Sequence, residues 1–556
     1  MSGFAVRSPY CIGAAVLTAL ALLSCSRGPE PAPPGAGSDA PRLIGNPGAI
    51  SYPITTSSRD AQRYFDQGLA LVYGFNHDAA LRSFVAAERL DPECAMCAWG
   101  IALASGPNIN WPMGPEAGRT AFAAAARASQ RALQATPKEQ ALIAAVATRY
   151  VDDPSADRGA LDLAYANAMR EVQSRYPDDD EIATLTAEAL MDLTPWNYWT
   201  PEATPREHTP QTLALLEAVQ ARRPDHIGAN HYYIHAIEEF FPERGEPAAD
   251  RLAALGVNQG HLVHMPSHIF WRVGRYQDAL EINQAAAAED EEFFAWCRSG
   301  AVYRALYYPH NVHFLWAAAA AAGRSEIALT AARKLEAVTA DRVEEFAFVE
   351  EFMAIPMLTL ARFGRWDALL GTAAPDPARR YLTGVWHYTR GLASLRTGQP
   401  ADAQARLDAV IAIAAEDAMI ELVLAGGVAQ AGQLLGIAAA HLEGEIAATS
   451  GRDEDALAAL GRAVERQDAM RYTEPPPWYF PTRQALGAVL LDLGQAAQAE
   501  AVYRRDLEEH PKNGWSLFGL ARSLEAQSRA ADAQWAGTGF RAAWARADVE
   551  LESSRF

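Results

Sequence analysis

One spacing of small, aromatic and proline residues recurs along this chain and constrains its fold more than any other feature. Gly68, Ala80, Phe84, Ala87 and Pro92 stand 12, 4, 3 and 5 residues apart. The same spacing returns as Gly487, Ala499, Tyr503, Asp506 and Pro511. Parts of it return as Gly391, Ala403, Leu407 and Val410, as Gly444, Ala456, Leu460 and Ala463, and as Ser267, Ala279 and Ala286. This is the tetratricopeptide pattern. Small residues let two antiparallel helices approach closely, a large residue fills the gap between them, and proline opens the next helix. Gly274, Gly323, Gly364, Gly398, Gly451 and Gly494 each stand between helical runs, where glycine can end a helix in the left-handed conformation. Strand signal is almost absent. The expected fold is all-α, a tetratricopeptide-like solenoid of helical hairpins, with a capping copy near residues 514–537.

The ends and the composition bound the rest. Arg7 precedes an apolar run over residues 12–23, which is short for a membrane span and suits the core of a secretion signal. It runs into Leu22-Leu23-Ser24-Cys25, which resembles the lipobox of bacterial lipoproteins. That resemblance implies diacylation of Cys25, and Ser26 after it favours the outer membrane over the inner one. The alternative is an ordinary cleaved signal and a periplasmic protein without an anchor. Residues 1–25 are therefore read as a signal peptide, and the Pro- and Gly-rich residues 26–50 as a flexible tether. Residues 51–225 are an N-terminal helical region, 226–345 a histidine-rich core, and 346–556 a C-terminal array with its cap. No later apolar run is long enough to span a bilayer. The net charge of −20 excludes nucleic acid and anionic lipid as expected partners. A membrane is expected only through the N-terminal lipid.

Cys94-Ala-Met-Cys97 lacks a following histidine, so it is not a c-type haem site. Export permits a disulfide between Cys94 and Cys97; two buried thiols on one helix face are the alternative.

Histidine carries the chemistry. Seven of the 13 histidines lie between residues 231 and 313, as His231-x-x-x-His235, His261-x-x-His264-x-x-x-His268 and His310-x-x-His313. Spacings of three and four put imidazoles on one helix face. Glu238 continues the face of His231 and His235 as a ligand, a general base or an orienting partner. His261, His264 and His268 would stack on one side of a helix; Pro266 disturbs that, and the alternative is a helix starting near Met265 with His261 and His264 on the preceding loop. Pro309 opens the third helix. The groups start 30 and 49 residues apart, about one repeat and one repeat plus an insertion, so a solenoid can bring them together. Imidazoles with little thiolate favour copper or zinc, with iron also open. Three histidines on each of two ions is one arrangement; three with Glu238 on a single ion is another. His77 and Asn108 are weaker candidates as pocket-lining residues. Two Pro-, Asn- and Trp-rich segments, residues 106–113 and 192–205, read as ordered loops. Hydrolase and dinucleotide motifs and the phosphate-binding loop are absent.

The stretches YGFNHDAALRSF, DPECAMCAWGIALASGPNIN, HYYIHAIE, GHLVHMPSHIFWRVGRY, YYPHNVHFLWAA, ARFGRW and EPPPWYFPTRQALG resemble a bacterial family of large exported tetratricopeptide-repeat lipoproteins. The resemblance covers nearly the whole chain after the tether and implies the fold and a place in the cell envelope, outer membrane favoured, with a periplasmic body. It implies no reaction. Three functions stay open: a metal-dependent hydrolase or oxidoreductase, a scaffold that takes a protein or peptide in its concave groove with structural histidines and no metal, and a metal carrier or store.

Overall fold

A computed structural model of the chain describes residues 41–153, 155–297 and 300–556. The signal-like segment, Cys11 and the proposed lipid site Cys25 lie outside the described residues. Two compact units emerge. The described part of the first is residues 41–43, 51–69 and 77–196; the second is residues 44–50, 70–76 and 197–556.

The first unit is a succession of helices, His77–Leu90, Ala95–Ala104, Pro115–Arg131, Pro137–Ala147, Arg158–Arg175 and Asp180–Met191, each packed on the one before it. Cys94 and Cys97 form a disulfide at the start of helix Ala95–Ala104. The second unit repeats the arrangement from Thr209–Arg222 to Ala530–Ala543. Neighbouring helices in sequence are neighbours in space, as in stacked hairpins. The described residues hold one small sheet, in which Val423–Leu424 pairs antiparallel with Ala429–Gln430. Fold class is all-α and tetratricopeptide-like. No described helix is long and apolar enough to cross a membrane.

Packing at the repeat positions explains the spacing. A Cβ added to Gly68 would stand 2.7 Å from the Phe84 ring, one on Gly487 2.5 Å from Tyr503, and one on Gly444 2.6 Å from Leu460. In each case the glycine meets the large residue 16 positions later, across the hairpin. Gly391 differs: it faces Leu442 at 2.5 Å, a side chain from a later hairpin. All six turn glycines have positive φ, between 62° and 79°. Gly274 is doubly constrained, because a Cβ there would also stand 2.0 Å from the Pro511 carbonyl.

Part of the expected tether is fixed. The Asn46 amide donates to Asn258 Oδ1 at 3.0 Å, Asn46 Nδ2 donates to the Gly256 carbonyl at 2.9 Å, and Gln259 donates to the Pro47 carbonyl. Composition says that such a segment cannot build a core of its own; it does not prevent docking on another.

Candidate metal centre

His264, His268 and His310 come from three helices of the second unit. Short helix Gly260–His264 runs into Pro266–Arg272 through Met265, which keeps helical angles of φ −51° and ψ −37°. His261 and His264 therefore lie on a helix, the first of the two arrangements, and not on a preceding loop. Pro266 is tolerated because it occupies the first position of the next helix, where an N–H would have no partner. His310 belongs to Tyr308–Ala321, which has Pro309 in its first turn and follows a five-residue π-helix, Tyr303–Tyr307.

Three Nε2 atoms converge. His264 Nε2 lies 2.9 Å and His310 Nε2 3.4 Å from His268 Nε2. Two imidazole nitrogens on one tetrahedral ion at about 2.0 Å stand about 3.3 Å apart. The partners on the far side of each ring fix what those nitrogens carry. Asn283 Nδ2 donates to the Ala279 carbonyl at 2.7 Å, which turns Asn283 Oδ1 toward His264 Nδ1 at 2.6 Å. An oxygen there requires a proton on Nδ1, so His264 Nε2 bears a lone pair. His268 Nδ1 lies 3.1 Å from Glu238 Oε2 and 3.1 Å from Glu474 Oε2, ion-pair contacts without hydrogen-bond alignment, and those carboxylates favour a proton on it. A neutral His268 would then aim a second lone pair at the first across 2.9 Å. Either a proton on His268 Nε2, donated to His264 Nε2, or a metal ion held by both nitrogens removes that conflict.

Electrostatics divide the group. Burial, then the imidazoles of His310 and His268, hold His264 well below its ordinary value. Burial followed by His268 does the same for His310. Burial also opposes charge on His268, but Glu238 and Glu474 override it and raise that imidazole to about 10. Burial opposes charge on Glu238 too, yet His268 and His235 draw it down to about 2. Glu474 is pushed up by burial, with the neighbouring Glu238 charge adding to it. The pair thus holds one firm negative charge against His268.

A second triad adjoins the first. The candidate ligand atoms of His231, His235 and His261 lie within 4.8 Å of one another. His231 and His235 share a face of helix Ile227–Ile237. His231 Nδ1 donates to the Tyr73 carbonyl at 2.5 Å, which leaves a lone pair on Nε2, buried and without a partner among the described residues. Neither ring nitrogen of His261 has a hydrogen-bond partner there. Burial first, then neighbouring imidazoles, keeps His231 and His261 well below their ordinary values. Neutral imidazole is the form that binds metal. Glu238 joins the triads, with Oε1 3.6 Å from His235 Nδ1 and Oε2 on His268. Ring centroids are 5.6 Å apart for His235 and His268 and 5.7 Å for His261 and His264.

Each triad lies against one phenylalanine. Phe75 is centred 4.6, 5.9 and 5.6 Å from His231, His235 and His261. Phe314 is centred 4.9, 4.7 and 5.2 Å from His264, His268 and His310. Phe75 has φ 54°, a conformation that costs a side-chain-bearing residue about 1–2 kcal/mol.

The remaining candidates are elsewhere. His313 stacks on Trp316 at 5.2 Å and meets Phe352 edge-on at 5.2 Å, outside both triads. Burial takes its imidazole down to about 3. His77 and Asn108 belong to the first unit. His77 is held down to about 4 by burial and then by Arg149. Asn108 Oδ1 accepts from the amides of Asn110 and Trp111 at 2.9 and 3.0 Å, closing a turn.

Glu474, Asn283, Phe75 and Phe314 complete the centre and were not singled out in the sequence. Glu474 precedes three prolines in the quoted EPPPWYF stretch, which is its only signal. Tyr472 donates to Glu474 Oε1 at 2.6 Å, and Arg272 Nε lies 3.7 Å from the same oxygen. Glu474 thus serves the ring of His268 from behind.

No family model matches this chain, and no curated protein does. Among solved structures it is similar to the human IFIT1 dimer with m7Gppp-AAAA, at 12% identity over 88% of this chain and 91% of that one, with a TM-score of 0.30. It is also similar to the human IFIT1 dimer with PPP-AAAA, at 11% identity over 87% and 91%, with a TM-score of 0.29. Scores of that size carry neither fold nor function across.

Proposed function

We propose that this chain is a metalloprotein in which a tetratricopeptide-like scaffold holds two adjacent transition-metal ions, one on His264, His268 and His310 and one on His231, His235 and His261. The observation that carries the reading is the approach of His264 Nε2 and His268 Nε2 to 2.9 Å, with Asn283, Glu238 and Glu474 holding the protons on the opposite nitrogens. Histidine ligands oriented by carboxylate or amide oxygens are how proteins fix imidazole for a metal. The all-imidazole donor set suits copper or zinc, and Glu238 leaves iron open. Bound ions would supply a Lewis acid or a redox centre, which fits a metal-dependent hydrolase or oxidoreductase. Burial of five of the six imidazoles favours a resident centre over an exchangeable store. The setting proposed for it is the bacterial cell envelope.

A second reading is favoured by the charge on His268. With its imidazole raised to about 10, a proton can be the cation, and His268 Nε2–H donates to His264 Nε2. The histidines then form a polar core in a scaffold for a protein or peptide partner.

Elemental mass spectrometry separates the two. Protein purified without chelator is measured beside a His264→Ala/His268→Ala variant. Stoichiometric copper, zinc or iron, reduced in the variant, supports the metal centre. Absence of metal after reconstitution with all three leaves the protonated pair.

A further inference from the structure

Arg362 is a buried cation without a buried anion. It lies on helix Glu350–Arg362 and is 7% exposed. Its Nη2 donates to Gln484 Oε1 at 2.6 Å, and its guanidinium carbon stands 3.5 Å from the Trp515 ring centroid and 5.2 Å from that of Phe480. Among the described residues no carboxylate pairs with it. The nearby acids are engaged: Asp506 accepts from His510 at 3.2 Å and from Ser516, and Glu474 takes His268 and Tyr472. Burial draws the Arg362 guanidinium down to about 9, as expected of a charge short of a counter-ion.

Arg362 also lines a pocket of about 40 Å³, whose walls include Trp271, Trp316, Trp478 and Phe480. At about 10–15 Å³ per water, this holds about three waters or one small carboxylate group. Trp478 is 3% exposed, and its indole N–H has no acceptor among the described residues. The pocket therefore offers a fixed guanidinium with donors to spare among flat apolar rings. Planar bidentate donors of this kind match a carboxylate. The pocket neighbours the metal centre through Trp271, centred 6.4 Å from Phe314, and through Pro475, which follows Glu474.

We propose that this pocket binds a small organic carboxylate, with its oxygens on the Arg362 guanidinium and its compact apolar body against the tryptophan faces. The site is independent of the metal reading, because none of its donors belongs to either triad.

Acetate and acetamide have the same shape and differ in charge, and both match the size of the pocket. Isothermal titration should show acetate binding at least tenfold more tightly than the amide, in metal-loaded and chelator-treated protein alike. Arg362→Met should erase that preference. Equal binding of acid and amide by the wild-type protein overturns the proposal whether or not the variant folds. Loss of acetate binding on chelation also overturns it, since the anion would then be a metal ligand.

Discussion

Glu474 Oε2 stands 3.1 Å from His268 Nδ1, across the ring from the Nε2 that faces His264. A carboxylate there fixes the ring and raises its basicity toward a metal. Glu474→Gln keeps the shape and replaces the carboxyl beside Nδ1 by a neutral amide. If the centre binds metal, the substitution lowers affinity about 10–100-fold, as changes at such supporting positions do. Competition with a coloured chelator reads this directly. Unchanged affinity would reduce Glu474 to a partner of Arg272 and Tyr472.

His313 and His264 should behave differently under the same substitution. His313 packs between Trp316 and Phe352, whereas His264 points Nε2 into the first triad. Replacing His264 with alanine is expected to remove about one equivalent of metal. Replacing His313 is expected to leave the metal and cost about 1–2 kcal/mol of packing. Metal loss in the His313 variant would mean that the triads are wrongly drawn.

The fold was legible because the repeat is local. Gly68 and Phe84, or Gly487 and Tyr503, lie within one hairpin, so their 16-residue spacing is written along the chain. The histidines were legible by type and number, but their sorting was not. His310 joins His264 and His268 while His313, three residues on, turns to a tryptophan. One helical turn decides that, and spacing alone cannot. Glu474 comes from a segment far along the chain, Asn283 matters through one amide oxygen, and the partner of His231 is a backbone carbonyl, which has no letter in the sequence. Pro266 left the start of its helix open because a proline between helices and a proline opening one look alike until Met265 is seen to stay helical.

Glycine substitutions should split by what a Cβ meets. At Gly100 it would stand 2.3 Å from the Phe84 ring, which is fully buried. Gly100→Ala is expected to destabilise the first unit by about 1–3 kcal/mol through overpacking. At Gly461, within helix Asp453–Asp468, nothing lies within 4 Å. Gly461→Ala should stabilise by up to about 1 kcal/mol through helix propensity alone. Thermal melts of the two variants should move in opposite directions; shifts of the same sign would contradict the packing described.

Glu445 is the anion of a buried cluster in the second unit. Arg396 Nη2 donates to its Oε2 at 2.7 Å, Arg555 pairs with the same oxygen, and His441 Nε2 lies 3.5 Å from Oε1. Burial works against its charge, but Arg555, then Arg396 and His441, hold the carboxyl well below its usual range. A depressed carboxylate stabilises the fold fully above its unfolded value, about 4.3, and loses that contribution as pH falls from there toward its folded value. Glu445→Gln leaves Arg396 without a carboxylate, while Arg555 keeps Asp492 at 2.9 Å, and should cost about 1–3 kcal/mol at pH 7. The difference between wild type and variant should shrink as pH drops below about 4.3, because only the wild type gives up this charge. Urea melts of both proteins from pH 7 to pH 3 measure it. A gap that stays constant across that range would show that the cluster holds the helices by packing and not by the charge on Glu445.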